Sequence, residues 1–330
     1  MVAPAHTDRS GGRGAPFRPL ALAALALALV LVGTGPPALA ADPQLILDRP
    51  RVGEYQPVRR SGWIAWQQNT RDRSRHYDVF VRPTEGGSKF RANAKRRSGA
   101  NGDIEGDLLV FQQFGRGHSG LRFVELQSHR RTRPPAAVNS DQWEYWPSMS
   151  GDWLLFGRLM RSGPRRVILF NLSTGEERIV DRTRGDHAFL APGQVNGDWA
   201  VWSKCPAGEL CNIVRYRIST EVSHTVPNPH ALEQYAASVD EDGNTYYAGG
   251  GDECGTRVKL VRQSRGGSDE VLWRLPNGDD IGRTYVLARP RANRVLFDHF
   301  ACGEPGESDA WQLLDRTSRF EDAASQTLTG

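Results

Sequence analysis

Between residues 55 and 315 the apolar residues fall into short runs, rich in β-branched and aromatic types and bounded by Gly, Asn, Asp and Ser. Runs of that length and composition predict β-strands. No stretch after residue 40 keeps apolar residues at helical spacing over about 11 positions. Two runs open in the same way, SMSGDWLLF at 148–156 and QVNGDWAVW at 194–202, with Gly151 and Gly197 46 positions apart. The same ruler finds Gly106 in IEGDLLVF, Gly62 in RSGWIAW, Gly243 in DEDGNTYY and a degenerate sixth copy, PRANRVLF, with Asn293 in place of the glycine. Successive anchors are 44, 45, 46, 46 and 50 residues apart.

Each copy repeats one grammar. A short segment leads into a tight turn, where Gly or Asn suits a positive φ. An apolar run follows (WIAW, LLVF, WLLF, WAVW, TYYA, VLF), then a polar loop and a second run (YDVFV, LRFVEL, RVILFNL, NIVRYRI, RVKLV, AWQLL). After NLSTG at 171–175, EERIV adds a fourth strand. Four short strands per unit of about 40–50 residues define a propeller blade, because one blade cannot bury both faces alone. The expected fold is all-β, a six-bladed β-propeller of four-stranded antiparallel blades. The blades are expected near 55–97, 98–139, 140–184, 185–229, 230–278 and 279–320, within one domain over 41–330. The orphan apolar run Leu45-Ile46-Leu47 is expected to close the last blade and cover its edge.

The stretches TRDRSRHYDVFVRP, SGPRRVILFNLSTGEERIV and SGDWLLF resemble the repeat of the TolB-type, or WD40-like (PD40), β-propellers. The resemblance covers about residues 55–315 and implies the propeller fold. It implies little about activity, since such propellers bind peptides, proteins and sugars and also support enzymes. The proline of that family's turn is absent in every copy, and there is no room before the repeats for the α/β domain of TolB itself. TolB's partner interactions therefore do not carry over.

Residues 1–40 contain Arg9, Arg13 and Arg18, an apolar run over 20–33, and GPPALA, the order of a signal peptide with cleavage after Ala40. A membrane anchor is the alternative, but the run is shorter than the roughly 17–25 residues of a span. The expected location is therefore secreted, extracellular or in the cell envelope, with no stable membrane insertion after cleavage. A net charge of +4 over 330 residues gives no polyanion-binding face, so no nucleic-acid partner is expected. Cys205, Cys211, Cys254 and Cys302 make an even count, which in an exported chain favours disulfides. Sequence alone leaves three pairings open. Placed on the repeat, Cys205 and Cys211 share one hairpin loop, while Cys254 and Cys302 fall in matching loops of neighbouring blades.

Loops entering the innermost strands gather round the mouth of a propeller's channel. Eight positions before the anchor stand Trp143, Phe189, Tyr235 and Tyr285, with Glu54 and Ser98 in the first two copies. Those rings either form a stacking platform at the mouth or pack between blades. Beside them lie Glu144, Asp186, His187, His230, Glu233, Asp279, Asp280 and Arg283, groups suited to sugar hydroxyls or to a peptide's charges. The expected function is an exported, monomeric binding module for a protein, peptide or glycan, acting without catalysis and without cofactor or metal. One alternative is a lyase or hydrolase of carbohydrates using Asp186, His187 or Glu233; another is an envelope scaffold. Asp240-x-Asp242-x-Asn244 resembles the start of a calcium loop, but Gly251 stands where its bidentate Glu belongs, so a tight turn is expected.

Overall fold

The computed structural model describes residues 44–47, 53–70, 73–115, 117–184, 187–250, 257–287, 294–301 and 308–314. All belong to one compact unit, Ala38–Gly330. β1 (Gln44–Leu47) comes first. Blade I is built from β2 (Glu54–Arg60), β3 (Trp63–Thr70), β4 (Arg73–Pro83) and β5 (Phe90–Arg91). Blade II follows with β6 (Gly99–Glu105), β7 (Leu108–Phe114), β8 (Ser119–Glu125) and β9 (Arg131–Thr132). Blade III comprises β10 (Trp143–Ser150), β11 (Trp153–Leu159), β12 (Arg165–Asn171) and β13 (Glu177–Arg182). Blade IV comprises β14 (Phe189–Asn196), β15 (Trp199–Cys205), β16 (Asn212–Arg217) and β17 (Val222–Thr225). Blade V comprises β18 (Glu233–Val239), β19 (Thr245–Gly250), β20 (Lys259–Gln263) and β21 (Asp269–Arg274).

The expectation of six blades is corrected to five complete ones within the described residues. The degenerate sixth copy supplies only three consecutive strands, β22 (Asp279–Val286), β23 (Arg294–Ala301) and β24 (Ser308–Leu314), and the loops 288–293 and 302–307 lie outside the description. The fourth place in that sheet is taken from the other end of the domain, where β1 pairs antiparallel with β24, Gln44 opposite Gln312. This composite sheet differs from the blades in the sequence of its first connection. Asn293 replaces the glycine, and seven positions separate β22 from β23 instead of the two in blades II to IV.

The Gly-Asp pairs are the turns between the first two strands of blades II, III and IV. Gly151 and Gly197 have φ of 55° and 56°, a region that favours glycine. The aspartate after each glycine presents its carbonyl to the end of the third strand. Asp152 O accepts Leu172 N at 2.8 Å, and Asp198 O accepts Ile218 N at 2.9 Å. The side chain adds a bond only aspartate supplies here, Asp107 Oδ1 accepting Gln127 N at 3.0 Å and Asp198 Oδ1 accepting Ser219 N at 2.8 Å, so the turn is fastened to the segment just after the third strand.

Neighbouring sheets share their cores. One cluster joins blades II and III through Phe123, Phe156 and Phe170, and another joins III and IV through Leu155, Leu169 and Trp202. Val201, Ile213 and Tyr247 join IV and V; Tyr246, Leu260 and Phe297 join V to the composite sheet. Trp66, Phe111, Tyr285 and Leu296 carry the ring on into blades I and II. Each such buried side chain contributes about 1.5–3 kcal/mol.

The innermost strands have a free edge towards the axis, and polar side chains of the next blade, or of a blade one further round the ring, satisfy it. Asp103 Oδ2 accepts Met149 N (3.0 Å) and Ser148 Oγ (2.6 Å), and Ser148 Oγ in turn accepts Val195 N at 3.0 Å. Gln194 Oε1 accepts Val286 N at 3.0 Å while its Nε2 donates to Val286 O at 2.8 Å. Asn196 Nδ2 donates to Val239 O, Ser238 and Thr284 join hydroxyls, and Arg60 Nη1 donates to Met149 O. Asp103, Ser148 and Ser238 are wholly buried. Burial pushes the Asp103 carboxyl upwards, with the Arg60 guanidinium opposing that shift. Ser148→Ala is expected to strand both Val195 N and one bond to Asp103, costing about 1–3 kcal/mol. Urea denaturation of the variant beside the native chain measures it.

Candidate functional site

All the innermost strands carry a bulge at nearly one height. Two residues face one partner residue at Gln56-Pro57, Asn101-Gly102, Trp146-Pro147, Gly193-Gln194, Ala236-Ala237 and Gly282-Arg283. A bulge turns its strand and redirects one side chain. Here Gln56, Trp146 and Ala236 have φ of 51°, 48° and 54°. For a residue as bulky as Trp146 this is a strained conformation, held only because the surrounding sheet dictates it.

Five of these bulges converge on one cavity of about 460 Å³. Its floor is made by Gln56, Gly193, Ala236, Gly282 and Arg283, and its apolar walls by Trp146, Phe189, Tyr235 and Phe300. The Trp146 and Phe189 rings meet edge to face at 5.5 Å, and the Arg165 guanidinium stacks 4.5 Å from the Phe189 ring centre. Cys205 and Cys211 also line the cavity and form a disulfide with Cα atoms 4.0 Å apart. Glu233 Oε2 accepts Cys211 N at 2.6 Å, fixing that wall to the start of blade V. The Tyr235 hydroxyl donates to Asp280 Oδ1, and Asp280 also accepts Ile281 N at 2.6 Å.

Two charged groups sit behind and beneath the floor. Arg283 is 8% exposed; its Nη2 reaches Gly193 O at 3.4 Å, and its Nη1 is buried without a hydrogen-bond partner. Burial lowers its guanidinium pKa, opposed by the attraction of Asp103 and Asp298. Asp298 lies directly behind Gly282, where an added Cβ would stand 2.3 Å from its Oδ2. Burial pushes the Asp298 carboxyl up to about 7, against backbone bonds from Arg283 and Gln56.

Of the residues singled out in the sequence, Phe189, Glu233, Tyr235, Asp280 and Arg283 come together in this cavity. Trp143, 40% exposed, stands at the outer start of β10 and does not line it. Glu144 is wholly buried as the partner of Arg158 Nε (3.0 Å) and Ser140 Oγ (2.6 Å). His187 and His230 are exposed loop residues. Tyr285, wholly buried beside Asp103 and Arg60, belongs to the channel interior. Asp186, Cys254 and Cys302 lie outside the described residues. Asp240 closes its own turn by accepting Asp242 N and Asn244 N at 3.0 and 2.8 Å.

Trp146 and Phe300 were not singled out, and a signal for the former exists. Tyr55-Gln56-Pro57 and Tyr145-Trp146-Pro147 are the same Tyr-x-Pro phrase, the proline at a bulge that needs no donor there. The Tyr55 ring packs against Tyr77 of its own blade at 5.8 Å, whereas the tyrosines before two other bulges reach across to the next inner strand. Tyr145 Oη donates to Leu190 O at 2.9 Å, as Tyr235 does to Asp280.

Solved structures similar to this chain include a TolB-type protein of Agrobacterium tumefaciens, with 12% identity, a TM-score of 0.54 and coverage of 82% of this chain and 93% of that one. TolB of Acinetobacter baumannii gives 14% identity and a TM-score of 0.53, over 78% of this chain and 64% of that one. The chain thus spans less than two thirds of that TolB's length. An oligogalacturonate lyase in complex with manganese gives 9% identity and a TM-score of 0.51, over 84% and 94% of the two chains. At these identities the likeness is one of fold, a TolB-like β-propeller. No protein-family model and no curated protein sequence matches the chain.

Two outcomes are expected from this geometry. An Asp with a folded-state pKa near 7 and an unfolded value of about 3.9 destabilises the fold as pH rises between those values. Asp298→Asn is therefore expected to gain stability relative to the native chain from pH 4 to 7 and to hold that gain above pH 7, read from denaturation at each pH. Replacing Cys205 and Cys211 together by Ser is expected to cost about 2 kcal/mol, the loop they close being short. Thermal unfolding of the variant beside the native chain, both without reductant, checks it.

Proposed function

We propose that the chain is an exported binding protein that takes a ligand or a partner's side group into the cavity at the mouth of its propeller. The observation that carries this reading is the convergence of five strand bulges on one apolar-walled cavity with an unsatisfied buried cation beneath it. Backbone strain at Trp146 supports it, because a bulky residue held at positive φ is retained where its side chain has work beyond packing. The cavity's size lies in the range of about 300–1,000 Å³ usual for small-ligand sites. Export is supported by the Cys205–Cys211 disulfide, which persists in an oxidising compartment, together with the leader-like order of residues 1–40.

A thermal-shift screen against short peptides and oligosaccharides tests the proposal. A stabilising compound is expected to lose at least about tenfold in affinity in Phe189→Ala and in Trp146→Ala, as for an aromatic hot spot. Retention of full affinity in both variants would remove the cavity from the binding role. Turnover of an oligosaccharide that is lost in Glu233→Gln would replace binding by carbohydrate chemistry.

A further inference from the structure

Resting on the cavity reading above, we infer that the ligand carries a free carboxylate beside a bulky apolar group, as a peptide does at a C-terminus ending in an aromatic or large aliphatic residue, and that Arg283 is the residue that holds the carboxylate. The inference starts from an incomplete bonding pattern. Arg283 lines the cavity, yet its guanidinium makes one long bond to Gly193 O and leaves Nη1 without a partner. A buried donor left unmade costs about 1–3 kcal/mol, and more when charged. Asn196 Oδ1, Tyr285 Oη and Asp298 Oδ1 are also buried without a partner, but among the described residues Arg283 is the one cation so placed that lines the cavity.

The carboxylates nearest to Arg283 do not meet the need. Asp103 and Asp298 act on it electrostatically, but Asp103 is already engaged by Ser148 and Met149 N, and Asp298, which takes backbone amides of Gln56 and Arg283, leaves its own Oδ1 unpaired without bonding the guanidinium. An incoming planar anion matches the guanidinium fork, which two parallel N–H···O bonds recognise more strongly than a neutral acceptor. The rest of the lining selects the kind of anion. Glu233 and Asp280 share the cavity and would repel a dianionic phosphate more strongly than a single carboxylate. Trp146, Phe189 and Phe300, with the disulfide, offer apolar surface to a ring or a branched chain and few partners for sugar hydroxyls.

Three probes decide the matter: Ala-Ala-Phe with a free carboxylate, the same peptide as its C-terminal amide, and trigalacturonate, each titrated by calorimetry into the full chain. The native protein is expected to bind the free acid at least about tenfold more tightly than the amide, and Arg283→Gln to bring that ratio to about one. Because Arg283 is buried, Arg283→Lys accompanies it; keeping a point charge but not the fork, it should retain part of the preference, and circular dichroism shows whether both variants fold. Equal binding of acid and amide by the native chain, or a preference that survives Arg283→Gln in a folded variant, overturns the inference. Loss of both peptides in Trp146→Ala would still leave the cavity reading standing in that case. Binding of trigalacturonate alone overturns the peptide assignment, and binding of no probe that also survives Trp146→Ala unchanged in the wider screen overturns both readings.

Discussion

Every innermost strand of this propeller has an unpaired edge turned towards the axis, and the structure depends on closing those edges. A sheet edge buried without partners leaves a row of amides and carbonyls whose desolvation is uncompensated. Here the remedy is lateral: side chains of one blade bond to the backbone of the next. Asp103 takes Met149 N, Ser148 takes Val195 N, and Gln194 takes Val239 N. The bonds therefore run across blade boundaries, where the apolar clusters already join the sheets. Packing brings neighbouring blades together, while the polar contacts fix their relative height, since one step along a strand would misplace every acceptor.

That fixed height is what makes a cavity possible. The bulges stand just before the polar positions on each inner strand, so the same registration that satisfies the channel also brings Gln56, Trp146, Gly193, Ala236 and Gly282 to one level. A strained tryptophan and a partly satisfied arginine persist there because the ring around them is rigid. The site is thus built on strand backbone, with the single disulfide hairpin of blade IV as its one covalent wall. Sites on strands hold their groups more closely than sites on loops.

The repeat was legible because a two-residue turn must place glycine at positive φ, and the aspartate beside it has a carbonyl to offer the third strand. Those demands recur with each blade, so Gly106, Gly151 and Gly197 stood out. Legibility failed where the turn changed. Blade V uses a five-residue turn closed by Asp240, and seven positions separate the first two strands of the composite sheet, so counting back eight positions from Gly243 or Asn293 reached different registers. Tyr235 fell just before its bulge and into the cavity, whereas Tyr285 fell beyond its bulge and into the interior. Trp146 escaped notice because its importance comes from a backbone kink that pattern counting does not register. Glu144 carried the look of a site residue, yet its partner Arg158 lies on the adjacent strand, a pairing that only register reveals.

The pairing of β1 with β24 has a consequence for how the chain comes into being. A strand from the front of the domain waits for the last strand to be made before it can find its partner. Local hairpins of blades I to V can form as each emerges, since their contacts are near in sequence. The closing contact spans nearly the whole domain and is therefore entropically the most expensive to reach and the last available. During that interval the outer edge of β24's place in the sheet has no occupant, and residues 44–47 of another copy are chemically identical to the proper ones. Crowded synthesis thus offers this protein a natural route to strand exchange between copies, one that dilution during refolding would suppress.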